Sequence, residues 1–267
     1  MNQQSQVAVV GAGIMGEALI AALISSGVNP ELITISEKRA DRSAELIAKY
    51  SIRQAPLATN VAAADAILLV VKPQDMAAVL EEIKEFINPA AVVITFVAGK
   101  TISFISSALG TANPVIRVMP NTPTMVGAGM AAASMGAGVT DDHKKFVLGF
   151  LAATGKVIEV SEDLQDAVTA TSGSGPAYFF AFVEAMVAGA KELGLSQEDA
   201  TTLTIQTIVG AAKLLDESGK SATTLRENVT SPNGTTAAAL ASFGASDLNS
   251  MVAKAMKAAS DRSQELA

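Results

Sequence analysis

Residues 6–16 read QVAVVGAGIMG, and this stretch decides how the rest of the chain is interpreted. A short run of β-branched apolar residues ends in glycine, and from Ile14 to Ser25 apolar residues recur at helical spacing. Gly11, Gly13 and Gly16 stand in the G-x-G-x-x-G spacing between this strand and this helix. Glycines there allow a sharp turn, close approach of the backbone to a pyrophosphate and tight helix–strand packing. In this context the motif predicts dinucleotide binding rather than a merely glycine-rich turn, with phosphate on the free amides of the helix.

Strands and helices continue to alternate after this motif. Strands are expected at 31–35, 66–71, 91–96, 114–118, 130–133 and 156–160, and helices at 40–50 and 75–86. Strands that are apolar throughout and alternate with amphipathic helices indicate a parallel sheet covered on both faces. The fold class is therefore α/β, with an N-terminal doubly wound sheet of the Rossmann type.

The pattern of the sequence changes after Ser161 from alternating strands and helices to helices alone. No strand-like run of β-branched residues follows, and nearly all of the remaining chain can be written as helices. These are expected at 164–193, interrupted around Gly173, Gly175 and Pro176, and at 197–218, 221–228, 235–243 and 247–265. We therefore predict two domains, a dinucleotide-binding domain at 1–162 and an all-α domain at 163–267.

Composition excludes several classes of function. Of the 267 residues, 49% are hydrophobic and 17% are charged, which indicates a packed globule. The formal net charge of -7 and the lack of a basic stripe argue against nucleic acid as a partner. The absence of cysteine excludes disulfides and thiolate chemistry and is compatible with a reducing cytoplasm, where we expect the protein. The longest uncharged run, 118–140, is broken by proline and glycine, so no membrane span is expected.

The end of the second predicted strand bears on the choice between NADPH and NADH. Ser36 can donate a hydrogen bond to a 2′-phosphate, and Lys38, Arg39 and Arg42 can neutralise it, which favours NADPH. Glu37 leaves NADH as the alternative, because an acid at this position can bind the ribose 2′-hydroxyl. These charges also fit an ordinary solvated start of a helix.

The sequence offers no evident acid or base for catalysis. The only histidine, His143, stands at the charged start of a predicted surface helix. The carboxylates show no paired spacing, and no acidic or histidine-rich cluster suggests a metal. Reducing a ketone requires a proton for the developing alkoxide, whereas reducing a protonated imine requires only hydride delivery and positioning. Such chemistry suits the neutral hydroxyls and amides concentrated at 228–236.

Five motifs together resemble one enzyme family, over essentially the whole chain. They are VVGAGIMG (9–16), VKP (71–73), MPNTP (119–123), SGSGPAY (172–178) and NVTSPNGTT (228–236). In these the sequence is similar to pyrroline-5-carboxylate reductases, which reduce L-1-pyrroline-5-carboxylate to L-proline in the final step of proline biosynthesis. The resemblance implies a Rossmann domain followed by a helical dimerisation domain, a small-molecule substrate, NADPH or NADH as cofactor, and at least a homodimer, with a ring of dimers as the larger assembly.

The resemblance also implies site residues. Together with Lys38, the expected cofactor contacts are Gly11, Ala12, Gly13, Ile14, Met15, Gly16, Ser36, Asn60, Val70, Val71, Lys72, Pro73, Val97, Ala98 and Asn121. The expected substrate contacts are Asn228, Ser231, Thr235 and Thr236, with Thr236 near the ring nitrogen as hydrogen-bond partner or proton source. Two residues depart from the family pattern. Asn233 replaces a usual glycine but still permits a left-handed conformation, and Val97 replaces a common alanine.

Other functions remain as alternatives at this stage. β-Hydroxyacid dehydrogenases share the glycine loop but rely on a lysine shortly after a Gly-x-Gly, and here no lysine follows Gly175 until Lys191. Bacterial imine reductases are a related enzymatic alternative. A nucleotide-sensing protein would bind the cofactor without turning over a substrate.

Overall fold

The computed structural model describes residues 4–266, which form one eight-stranded sheet and twelve α-helices. The strands are β1 (Val7–Val10), β2 (Ile33–Ser36), β3 (Arg53–Gln54), β4 (Ala66–Leu69), β5 (Val92–Thr95), β6 (Val115–Met119), β7 (Gly129–Met135) and β8 (Gly155–Glu159). The helices are α1 (Ile14–Ser25), α2 (Ala40–Tyr50), α3 (Leu57–Ala63), α4 (Met76–Ile83), α5 (Ile102–Leu109), α6 (Asp141–Ala152), α7 (Gln165–Val168), α8 (Gly175–Glu192), α9 (Gln197–Glu217), α10 (Ala222–Asn228), α11 (Thr235–Ala245) and α12 (Leu248–Glu265).

The strands follow the order β3-β2-β1-β4-β5-β6-β7-β8. Neighbouring strands are parallel except for the antiparallel pair β6 and β7. The chain moves outward from β1 to β3 and then returns to place β4 on the other side of β1. Ligands of open α/β sheets bind at such a reversal, outside the carboxyl ends of the two strands. The predicted doubly wound sheet is confirmed, and its switch point lies between β1 and β4.

Two hydrophobic clusters cover the two faces of the sheet. Val7 and Val9 of β1 pack into one cluster, which includes apolar residues of α1, α2 and α6. Ala8 and Val10 pack into the other, which includes residues of α3, α4 and α5. Every residue of β1 is buried, because helices cover both sides of a parallel strand. The continuous apolar runs in the sequence reflect this double burial.

Three elements of the sheet region were not predicted from the sequence. β3 has only two residues and both are exposed, so it shows no apolar period. α3 has seven residues and α5 has eight, and neither contains a charged residue that would mark a polar face. The elements that were predicted, by contrast, begin and end within a few residues of the expected bounds, and α1 and α2 match them completely.

Contacts between residues divide the chain into two compact units. Residues 175–258 form the helical unit, whereas 4–174 and 259–266 belong to the sheet unit. Gln165 is fully buried, and its Nε2 donates to Ser134 Oγ at 2.8 Å and to Ala132 O at 3.3 Å, so α7 packs on the sheet. These contacts place the residues after 163 with the sheet unit. The domain boundary near residue 163 therefore stays a prediction.

The expected interruption near Gly173 is confirmed. A π-helical segment, Thr169–Gly173, precedes α8, which begins at Gly175. A Cβ atom on Gly173 would lie 2.4 Å from Met119 Cε, so this break is also a point of close packing against β6.

The helical unit exposes large apolar side chains. Phe179 and Phe180 of α8 are 62% and 63% exposed, and Leu203 of α9 is 56% exposed. Contiguous apolar surface of this kind marks protein–protein interfaces. Within residues 4–266, no helix is both long enough and apolar enough to cross a bilayer.

Candidate active site

The glycine loop begins where β1 ends. Gly11 adopts a φ of +88°, and its amide donates to the Ser36 carbonyl at 3.0 Å. A Cβ atom on Gly11 would lie 2.8 Å from the Val70 carbonyl oxygen, a separation that real side chains essentially never show. One on Gly16 would lie 2.5 Å from the Gly11 carbonyl oxygen. Packing against the strand ends therefore requires both glycines.

At Gly13, the lack of a side chain leaves space for a ligand and does not relieve a clash within the protein. Gly13 is the N-cap residue of α1, no side chain caps this end of the helix, and beyond its neighbours along the chain a Cβ atom here would meet nothing within 4 Å. The first amides of α1 therefore face open space. A dinucleotide pyrophosphate fits this arrangement, because helix N-termini offer unsatisfied N–H groups and a favourable dipole.

A cavity of about 770 Å³ adjoins the loop at the switch point. Its size falls within the range typical of small-molecule and cofactor sites. The predicted cofactor residues in its wall are Gly11, Gly13, Ser36, Lys38, Val70, Val71 and Lys72. Residues from the ends of β1, β2 and β4 thus line one cavity, as the sequence predicts for a dinucleotide site.

Other predicted cofactor residues do not line this cavity. They are Ala12, Ile14, Met15, Gly16, Asn60, Pro73, Val97, Ala98 and Asn121. Asn60 is buried, and its Nδ2 donates to Ser36 Oγ at 2.9 Å, so it holds Ser36 from behind. Asn121 Oδ1 accepts from the Met130 amide at 2.8 Å, and its Nδ2 donates to Ser172 Oγ at 3.2 Å. In this structure both amides therefore bind protein groups.

Arg42 is held behind the glycine loop. Its Nε donates to the Ala12 carbonyl at 3.1 Å, and its terminal nitrogens pair with Glu17 and Glu45. Glu17 also accepts from Lys49 at 2.8 Å. The hydrogen bond from Lys49 and the contacts with Arg42 outweigh burial and lower the pKa of Glu17 to about 2. Arg42 is thus committed to fixing the loop, a role that its position in the sequence did not reveal.

Glu37 enters the cavity from the end of β2. Its Oε2 accepts from the Ala12 amide at 2.9 Å, and its Oε1 accepts from the Arg39 amide at 3.0 Å. Arg39 itself pairs with Asp41 at 2.6 Å. Lys38 has no ion-pair or hydrogen-bond partner within the described part of the chain. The cavity wall at this strand end therefore offers one fixed carboxylate and one uncommitted ammonium group.

The predicted substrate segment lies in the helical unit, between α10 and α11. The Gly234 amide donates to the Ser231 carbonyl at 3.0 Å, and Asn233 has a φ of 60°, which with Pro232 is the pattern of a type II turn. The predicted turn and the left-handed Asn233 are confirmed. Gly234 is the N-cap of α11 and has no side chain to accept from the first helical amides. An anion is therefore favoured at this helix end.

The predicted substrate residues surround this turn. Asn228 is the last residue of α10, and Ser231 begins the turn. Both are exposed, as is Thr235, whereas Thr236 is half-buried in the first turn of α11. The segment contains hydroxyl, carboxamide and backbone donors but no ionisable side chain from 228 to 245.

His143 has a structural role. The His143 amide donates to Thr140 Oγ1 at 3.2 Å, and the Thr140 amide donates to His143 Nδ1 at 3.3 Å, which forms a capping box at the start of α6. Partial burial lowers the pKa of His143. This agrees with its interpretation as part of a helix start. Across residues 4–266, no group of three or more His, Asp or Glu side chains is arranged to hold a metal ion.

Comparisons with known proteins agree with this arrangement. Residues 162–266 match the family model described as pyrroline-5-carboxylate reductase dimerisation, and residues 6–99 match that of coenzyme F420-dependent NADP oxidoreductases. The pyrroline-5-carboxylate reductase of Pseudomonas aeruginosa is 39% identical over 98% of this chain and 97% of its own length. The solved structure of the Coxiella burnetii enzyme has a TM-score of 0.90 at 35% identity and covers 99% of both chains. A Plasmodium falciparum pyrroline carboxylate reductase with NADP bound has a TM-score of 0.88 at 27% identity, covering 100% of this chain and 99% of its own.

The two loop glycines are expected to respond differently to alanine. Gly13→Ala should leave thermal stability unchanged but weaken NADPH binding by roughly tenfold or more, because the methyl group would occupy the space that a pyrophosphate needs. Gly11→Ala should lower the free energy of unfolding by at least about 2 kcal/mol, since it combines a positive φ with a backbone clash. Urea unfolding and NADPH fluorescence titration measure the two effects.

Gly149→Ala is the control, because Gly149 lies in α6 and a Cβ atom there meets nothing within 4 Å. It should change neither quantity adversely. Normal NADPH binding by Gly13→Ala would show that the pyrophosphate does not approach this residue.

Proposed function

Because the chain belongs to the pyrroline-5-carboxylate reductase family, we infer that residues 228–236 hold the substrate while the glycine loop holds the cofactor. The chain is an NAD(P)H-dependent oxidoreductase, and its reaction is the reduction of 1-pyrroline-5-carboxylate to proline. The proposal that the glycine loop holds the cofactor rests on the cavity at the switch point, whose wall includes Gly11 and Gly13. These findings favour an enzyme over the nucleotide-sensing and hydroxyacid-dehydrogenase alternatives.

The substrate half rests on the chemistry of the α11 N-terminus. The substrate carboxylate would accept from the first amides of α11, which Gly234 leaves uncapped, and from the Ser231 and Thr235 hydroxyls. Asn228 would add a carboxamide donor at the other side of the turn. An uncharged site suffices here, because the ligand brings its own negative charge and the helix end supplies donors.

Thr236 is the candidate catalytic residue. A protonated cyclic imine already carries the proton that the product nitrogen keeps, and the cofactor supplies a hydride to the imine carbon. The Thr236 hydroxyl would hydrogen-bond the ring nitrogen and orient the imine plane. A hydroxyl suits this role, because it can accept from the iminium N–H and requires no shifted pKa.

We also propose a homodimer. Its interface would be formed by the exposed apolar side chains of α8 and α9, including Phe179, Phe180 and Leu203. The match of residues 162–266 to a dimerisation model supports self-association. A ring of dimers is the larger assembly that the family resemblance suggests. A cytoplasmic location is proposed on the absence of cysteine.

The function is tested by loss of NADPH absorbance on addition of racemic 1-pyrroline-5-carboxylate, with proline identified as product. Thr236→Ala should lower kcat/KM for the imine by roughly 100-fold while changing the Kd for NADPH less than twofold, because a group that orients the reacting nitrogen contributes about 3 kcal/mol. Thr236→Ser, which keeps the hydroxyl, should retain most of the activity. No turnover by the wild-type protein would refute the function, and equal losses in substrate use and NADPH binding would reassign Thr236.

We propose that NADPH is used, as the sequence predicts, with Lys38 as the partner of the 2′-phosphate. Of the three cations considered, Arg42 and Arg39 are paired with carboxylates. All three line the cavity, but only Lys38 is uncommitted among the described residues. Glu37 lies in the same cavity wall, and its carboxylate favours a free ribose 2′-hydroxyl and repels a phosphate. The two side chains act in opposite directions, so NADH stays a usable second cofactor.

Single substitutions should therefore move cofactor preference in opposite directions. Glu37→Gln should raise the ratio of kcat/KM for NADPH over NADH by about tenfold, and Lys38→Met should lower it by a similar factor, because each changes one unit charge beside the 2′-phosphate. Steady-state kinetics with both cofactors measure the ratio. Glu45→Gln is the matched control, since it removes a carboxylate that pairs with Arg42 beside the loop but does not line the cavity. A Glu37→Gln variant that loses both activities equally would show that Glu37 only supports the loop.

A further inference from the structure

The end of the chain lies against the loop that follows β5. A Cβ atom on Gly99 would lie 2.5 Å from Leu266 Cβ and 2.8 Å from the Ser263 carbonyl oxygen. Gly99 also has a φ of +76°, so glycine is required here for two reasons. The final turn, residues 263–266, therefore packs directly on the backbone of this loop.

A buried hydrogen bond fixes the same turn. Ser263 is 2% exposed, and its Oγ donates to Asp166 Oδ1 at 2.7 Å. Asp166 lies in α7 and also faces Arg117, whose terminal nitrogen is 3.5 Å from the same oxygen. A hydrogen bond to a charged acceptor is stronger than one between neutral groups. The C-terminal turn is thus attached by a charged pair as well as by packing.

Arg117 extends this network to the other end of the loop. It is a buried residue of β6, and its guanidinium lies 3.4 Å from Glu162 Oε1. The same Glu162 oxygen accepts from the Ile102 amide at 2.6 Å, at the first residue of α5. Residues 97–101 are therefore held at Gly99 by the C-terminal turn and at their far end by Glu162. One buried arginine connects both supports.

We propose that the C-terminal turn is a positioning element of the cofactor site and that Ser263 is its positioning residue. The loop leaves the carboxyl end of β5, the edge of the sheet on which ligands of this fold bind, and it contains the predicted cofactor contacts Val97 and Ala98. Within the loop, Val97 is buried in the cluster on one face of the sheet, and its amide donates to Thr95 Oγ1 at 3.3 Å, so Gly99 and the turn at 263–266 extend this support toward α5. The proposal rests on the proposed cofactor role of this loop. The turn acts on the cofactor through Gly99 and touches no reacting atom.

The test measures NADPH binding to the whole chain directly, by fluorescence titration in the absence of imine. Ser263→Ala should raise the Kd for NADPH roughly three- to tenfold, in line with the loss of a charge-assisted hydrogen bond. Ser263→Thr, which keeps the hydroxyl, should restore most of the affinity. The KM for the imine and kcat at saturating NADPH should change less than twofold. A variant that is merely less stable would not show this separation or this rescue.

Arg262→Gln is the control, because Arg262 directly precedes this turn but is exposed and, among the described residues, pairs only with the exposed Glu265. Leu266→Gly removes the Cβ atom that lies against Gly99 without touching a charge, and it decides the question if Ser263→Ala does not fold. Its Kd should rise about threefold. An unchanged Kd in both Ser263→Ala and Leu266→Gly, or an equal rise in Arg262→Gln, would overturn the proposal. Failure of the wild-type protein to bind NADPH would instead refute the proposed function of the site.

Discussion

The close approach of Gly11 to the Val70 carbonyl is the constraint on which the site depends. β1 and β4 are adjacent parallel strands, so their carboxyl ends emerge side by side, and the chain after β1 must turn away at once to start α1. At a would-be Cβ separation of 2.8 Å, no side chain fits between the two strand ends. The same turn brings Gly13 and the first amides of α1 over the crevice. Cavity, helix end and switch point are therefore one consequence of a single backbone contact.

Charged side chains stabilise this turn, whereas the predicted substrate segment contains none. Around Ala12, the Glu37 carboxylate binds the amide and Arg42 binds the carbonyl, while Glu17 pairs with Arg42 and also with Lys49. The pKa of Glu17 is lowered to about 2, so its carboxylate remains ionised at neutral pH. Residues 228–236, in contrast, contain no acid or base. A carboxylate ligand needs donors, and a protonated imine needs orientation, so neutral groups meet both requirements.

The sequence predicted the parts of the fold and site that leave a local pattern. Apolar periodicity gave α1 and α2, and glycine spacing placed Gly11, Gly13 and the ends of β1 and β4 around one cavity. β3 was missed because two residues cannot show a period, and α5 because it contains no charged residue to mark a polar face. The commitment of Arg42 to Glu17 and the burial of Asn60 behind Ser36 escaped for another reason. Both depend on partners 24 to 30 positions away, which only the folded chain brings into contact.

The domain boundary predicted from the sequence differs from the division that residue contacts give for the same reason. The dimerisation model covers residues 162–266, and the helical texture also begins near Ser161. Yet α7 packs on the sheet through Gln165 and Asp166, and the last turn of α12 returns to the sheet unit through Ser263. Asp166 joins the two ends of the helical region, since it accepts from Ser263 Oγ and pairs with the buried Arg117, whose donors need more than one carboxylate oxygen. Arg117 in β6 is thus linked through Asp166 to the turn at 263–266, and that turn packs on the loop after β5 at Gly99.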